Sequence, residues 1–219
     1  MAEHVLQRST RLSPLFWTVM KKIMFDDRFD LTQAVLDGRK TMTRRTISEK
    51  ALSDANDYVQ KVHGTGHDFL DYLLENSPYK VGEVVAVAQR YSDIMDESVR
   101  NNYIPKWSFA DEHCDEAGWK NKMFVRADLM PHQIRITSVR IERLQDISDE
   151  DCLREGVRKL ESENCPTMFT FDGWSFKNKV NRCTDSPKEA FEALFKKLSG
   201  KKAWDDNPWV FVYEFELIK

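Results

Sequence analysis

Eight consecutive residues, Gly38-Arg39-Lys40-Thr41-Met42-Thr43-Arg44-Arg45, bring together one lysine, two threonines and three arginines. Positive charge at this density needs an anionic partner, a phosphate or a carboxylate, or else water. Two hydroxyls beside it add hydrogen-bonding groups, and one of them could serve as a nucleophile if a base stood close. On spacing alone the stretch reads equally as a solvated basic turn.

The elements around it must hold it in place. Leu31 to Asp37 reads as a short amphipathic helix with Leu31, Ala34 and Val35 on one side, and Gly38 suits its C-terminal stop. Ile23-Met24-Phe25 reads as a first strand. From Lys50 to Asn76 the apolar spacing is helical with a break at Gly64-Thr65-Gly66, giving a helical pair that either covers a cleft or packs at the periphery. Tyr79 to Ala88 is a turn followed by a Val-rich strand, with Glu83 ending the turn or facing a cleft. Lys122 to Arg126 reads as a strand. Gln133 to Leu144 alternates apolar and polar residues, and its phase slips at Thr137-Ser138, which predicts a β-bulge. Arg135, Arg140 and Arg143 fall on its outer face. Ser148 followed by three acids predicts a helix start, and Gly156 its end. Phe169 and Phe171 alternate as in a hairpin strand, in a stretch that also holds Trp174 and Phe176. Ser186-Pro187 opens a helix whose apolar stripe is Ala190, Phe191, Leu194, Phe195 and Leu198. Trp209 to Leu217 is a closing strand, and Trp204 and Trp209 flank a turn at Asp205 to Pro208.

Composition narrows the function classes. At 219 residues with a net charge of −3, the chain is no general nucleic-acid coat, so any nucleic acid must be held by a local patch. No apolar run is long enough to cross a membrane. Four separated cysteines without a CxxC pair fit free thiols in a reducing cytoplasm. Cys114 beside His113 has no second pair at ligand spacing, so neither metal nor other cofactor is expected. Residues 1–19 read as an extension outside the domain, since Met20-Lys21-Lys22-Ile23 opens directly into the first strand.

The pattern Gly38-x-Lys40-x-x-Thr43-x-Arg45 resembles the signature of the ASCH domain, a small β-barrel module of the PUA-like group. The usual family form carries Glu where Thr43 stands. One branch does carry Thr there: small bacterial amidohydrolases that deacetylate N4-acetylcytidine. Three further stretches are similar to the family: the turn and strand from Gly82, the helix from Ser148 to Gly156, and the closing strand. The resemblance implies an α+β fold from residue 20 to 219, a PUA-like (ASCH) small β-barrel with flanking helices and insertions at about 47–78 and 157–186. It also places Glu155 where that branch has its catalytic glutamate.

Two uses of these residues follow. As a binding module, the cleft would take RNA or a nucleotide or modified-nucleobase ligand, with DNA as a second candidate. Arg39, Lys40, Arg44 and Arg45 would then hold phosphate while Trp204 (or Trp119) stacks a base. As an amidohydrolase of N4-acetylcytidine-type nucleosides, it would use Lys40, Thr43 and Glu155 as catalytic residues. Lys40 is a base only if its pKa falls well below about 10. Glu155 either protonates the leaving amine or pairs with Lys40 and opposes that fall. Binding without turnover is placed first on sequence grounds.

Overall fold

The computed structural model describes residues 20–100, 113–162, 165–173 and 182–218. The extension at 1–19 and the aromatics Trp107, Phe109, Trp174 and Phe176 lie outside them. In chain order the strands are β1 (Lys22–Ile23), β2 (Met42–Thr46), β3 (Val84–Val87), β4 (Gln133–Arg143), β5 (Arg158–Ser162), β6 (Cys165–Thr170) and β7 (Trp209–Ile218). The helices are α1 (Leu31–Leu36), α2 (Glu49–Val62), α3 (Gly66–Glu75), α4 (Tyr91–Arg100), α5 (Asp149–Arg154), α6 (Pro187–Ser199) and α7 (Lys201–Asp205).

The fold is α+β. Its main sheet runs β1-β3-β4-β7-β2, antiparallel except for the β1–β3 pair. Instead of a closed barrel this is an open sheet with β1 and β2 as its two edges; among the described residues no sheet closes on itself. The edges are nevertheless tied by a side chain, because Arg45 Nη2 donates to the Met24 carbonyl just beyond β1 at 2.5 Å. β4 and β7 form the long central pair, and their register shifts between Ile136 and Ser138, where the sequence phase slips. β5 and β6 make a separate hairpin.

One core joins the sheet to the helices. Ile134, Ile136, Val210, Val212 and Phe215 meet Leu31 and Val35 of α1, Cys152 of α5, and Phe191, Leu194 and Phe195 of α6. Phe171, beyond β6, packs edge-on to Phe29 with centroids 5.7 Å apart, so the hairpin aromatic covers a core edge. Burial raises the Cys152 thiol to about 12, which leaves it an inert core residue. α2 and α3 break at the glycine pair as their spacing predicts, and Tyr58 stacks on Tyr72 between them at 4.8 Å. Among the described residues no helix is long and apolar enough to cross a membrane.

Two strands differ from expectation. Lys122 to Phe124 is a 3-10 turn. Its backbone groups bond side chains in place of a neighbouring strand: Lys22 Nζ donates to the carbonyls of Met123 (2.6 Å) and Val125 (2.7 Å), and Arg126 N–H to the Tyr91 hydroxyl (2.9 Å). β1 stops at Ile23, and Met24 and Phe25 turn away from the ladder.

Candidate functional site

Lys40 is placed by its backbone before its side chain. Gly38 takes φ +73°, donating to the Val35 carbonyl at 3.0 Å, and Lys40 N–H returns to Ala34 O at 2.8 Å. Thr41 N–H then donates to Arg154 O, and Thr41 O accepts from Phe215 N–H. The motif is thus clamped between α1, the end of α5 and β7.

Glu155 follows α5, whose start is capped by Ser148 accepting from Asp151 N–H. It is brought to Lys40 over 115 residues of chain: Lys40 Nζ donates to Glu155 O at 2.6 Å and to Glu155 Oε2 at 2.7 Å. Both side chains are buried, at 2% and 6% exposure. Burial lowers the Lys40 pKa from its ordinary 10.5; Glu155 opposes that fall, and Arg45 and Arg44 add to it. Lys40 Nζ also lies 5.8 Å from the centroid of the Phe25 ring.

The neighbouring arginines differ sharply. Arg44 points into a nest of carboxylates: Nη2 donates to Asp151 Oδ2 (2.9 Å) and Glu142 Oε2 (3.0 Å), and Nη1 to Glu155 Oε1 (3.3 Å). Burial works against its charge, but these carboxylates outweigh burial and its pKa is raised. Arg45 has no carboxylate partner among the described residues; it lies over the Phe25 ring at 5.7 Å, and burial depresses its pKa despite Tyr79, Glu155 and Tyr213. Arg39 is turned outward, in ion pairs with Asp37, Asp30 and Asp172.

These groups border a cleft of about 550 Å³ at the seam between the two sheet edges. Met24 and Phe25 lie on one edge, Thr43 to Thr46 on the other, and Lys40 and Glu155 complete its polar lining. α6 adds an apolar wall of Phe191, Leu194, Phe195 and Leu198, and Asp26, Asp27, Arg28 and Lys122 add charged groups that bond one another in pairs. Thr43 is buried at 5% exposure, and among the described residues its hydroxyl has no hydrogen-bond partner. The structure therefore brings Lys40, Thr43, Arg44, Arg45 and Glu155 to one cleft, and leaves Arg39 outside it.

Trp204 is corrected: it does not stand at the cleft. Its ring packs against Phe191 and Phe195 at 6.1 Å each with 6% exposure, so core contacts cover the faces a base would need. Trp119 packs beside the second, smaller core around Tyr91, and Glu83 ends its turn by accepting from Lys80 N–H and pairing with Lys21. Arg135 and Arg140 pair with Glu216 and Glu214 across the β4–β7 ladder, and Arg143 lies 4.3 Å from the Trp209 ring centroid. Among the described residues the α2–α3 pair contributes nothing to the lining. Among the described residues no three His, Cys, Asp or Glu side chains gather as a metal site. Sequence reasoning missed Phe25, Glu142, Asp151 and the α6 wall; the available signal was Asp151 standing one helical turn before Glu155.

Comparisons with protein-family models, with curated proteins and with solved structures found no match to this chain.

Proposed function

We propose that the chain is an amidohydrolase that cleaves an acylated exocyclic amine of a nucleobase-sized substrate of the N4-acetylcytidine type, with Lys40, Thr43 and Glu155 as catalytic residues. The observation that carries this reading is the buried Lys40–Glu155 pair at 2.7 Å, bordering the same cleft as an uncommitted Thr43 hydroxyl. Phosphate capture is a weaker use of these groups. Lys40 and Arg44 are already matched to carboxylates, and an added anion would have to displace them. The fold belongs with this reading as a PUA-like sheet left open at the seam where the cleft lies.

In the proposed reaction the neutral amine of Lys40 takes a proton from the Thr43 hydroxyl, or from a water that Thr43 orients, as the oxygen attacks the acyl carbon. The carbonyl π electrons move to oxygen, and Arg45, with no carboxylate partner among the described residues, stabilises that oxyanion. The C–N bond then breaks, its electrons going to the amine, which is protonated from the Lys40–Glu155 pair. If Thr43 is the nucleophile, water releases the acyl group in a second step by the same proton path. The Lys40–Glu155 pairing gives the proton a holder between two steps.

Binding without turnover is the second reading, favoured by Arg45, which lines the cleft and has no carboxylate partner among the described residues. Glu155→Gln separates the two. For the hydrolase, chromatography should show release of cytidine from N4-acetylcytidine falling at least ~100-fold, with the substrate still bound. For the binding module, neither protein forms product, and a phosphate-bearing ligand binds the variant as well or more tightly.

A further inference from the structure

The motif's second arginine has a use that neither reading assigns. Its side chain is only 1% exposed and touches three carboxylates from two elements. Asp151 and Glu155 stand four residues apart at the end of α5, so one guanidinium spans a helical turn and ties it to β2. The shorter contacts, to Asp151 and Glu142, anchor the fork, and the longer one, at 3.3 Å, presents Nη1 to Glu155 Oε1. The anchor is itself held. Arg140 Nη2 donates to Asp151 Oδ2 at 2.6 Å and its guanidinium also reaches Glu142 and Glu214, while Arg154 Nη2 donates to Glu214 at 2.8 Å. Lys40, Arg44, Arg140 and Arg154 thus face Glu142, Asp151, Glu155 and Glu214, four basic against four acidic side chains.

We propose that Arg44 is a positioning residue that holds one oxygen of Glu155 so that the other is kept for Lys40. This rests on the hydrolytic reading above and adds a residue to it. Arginine does not give up its proton, so Arg44 stays with the Glu155 carboxylate when the Lys40 proton leaves. Without Arg44 both Glu155 oxygens are free to turn to the ammonium and hold it protonated. The charged groups that face Lys40 are Glu155 from the end of α5 and Arg44 and Arg45 from β2, with the Phe25 ring beside it. Arg44 itself faces Glu142 of β4 and Asp151 and Glu155.

The test uses the full chain labelled with 13C at lysine Cε, with the Lys40 signal identified by its loss in Lys40→Arg. In Arg44→Met the Lys40 titration midpoint should move to higher pH, and Arg44→Lys, which restores the charge without the fork, should reverse only part of that shift. On N4-acetylcytidine, kcat of Arg44→Met should fall on the order of 10–100-fold at nearly unchanged KM, with Arg44→Lys recovering only part. If Arg44→Met does not fold, Asp151→Asn loosens the same fork and should lower kcat at unchanged KM. An unmoved Lys40 midpoint in folded Arg44→Met, or a folded Asp151→Asn with wild-type kcat, overturns the proposal. A shifted midpoint in proteins that never release product supports the clamp and overturns the hydrolytic reading instead.

Discussion

Lys40 is the proposed base, and its titration has a sign. Burial lowers its pKa, against the pull of Glu155, so the neutral amine forms below the ordinary lysine value of 10.5. As a base it works only when neutral. The pH profile of kcat/KM should therefore rise with pH and flatten before 10.5; a rate still climbing there would exclude Lys40 as the base. Folding follows the same linkage. Between the lowered folded value and 10.5 the unfolded chain binds more protons, so the Lys40 contribution makes the fold more stable as pH rises, a slope that Lys40→Met should remove in thermal melts. That Lys40 and Thr43 border one cleft was legible because they share one short motif. Glu155 was legible only through the resemblance, since 115 residues separate it from Lys40. The carboxylate partners of Arg44 were not legible, because Glu142 and Asp151 arrive from 98 and 107 residues away. Charge partners at such separations leave no local pattern.

At the scale of elements, Gly156 joins the helix end to the motif. It takes φ +112°, and an added Cβ would lie 3.0 Å from Leu31 Cδ2 and 3.8 Å from Lys40 Cδ. Gly156→Ala combines left-handed strain with crowding, and should cost about 2 kcal/mol, or roughly 4–8 °C in Tm by calorimetry. An unchanged Tm would mean that the turn relaxes freely. Elements with their own end signals were readable from the sequence: Ser148 and Ser186 cap α5 and α6, and Pro187 opens the latter. The bulge in β4 was readable from its broken alternation. The segment at Lys122 was not. Its short apolar run fits a strand as well as a turn, and two side chains distant in sequence, Lys22 and Tyr91, decide the matter.

At the scale of the molecule, the cleft exists because the sheet stays open. The seam between β1 and β2 is crossed by Arg45 and lined by residues of both edges, and α6 supplies the apolar wall. Sheet closure depends on strand tilt and register summed over every pair, which no single segment encodes, so the barrel expected from the resemblance could not be checked from sequence. The same helix layer explains Trp204. Trp204→Ala should lower stability by about 3–5 kcal/mol in denaturant titrations, since it empties a core site between Phe191 and Phe195. Trp204→Phe should leave KM for N4-acetylcytidine unchanged; a roughly tenfold rise would restore it as a base-stacking residue. The central claim is most directly tested by one chromatographic assay of N4-acetylcytidine with wild type and Lys40→Ala. Arg44 still covers Glu155 in that variant, so it should fold with a Tm only a few degrees lower, by about 3–6 °C. Wild type should release cytidine and acetate in equal amounts, and Lys40→Ala almost none. Equal release by both proteins, or none by wild type, would contradict it.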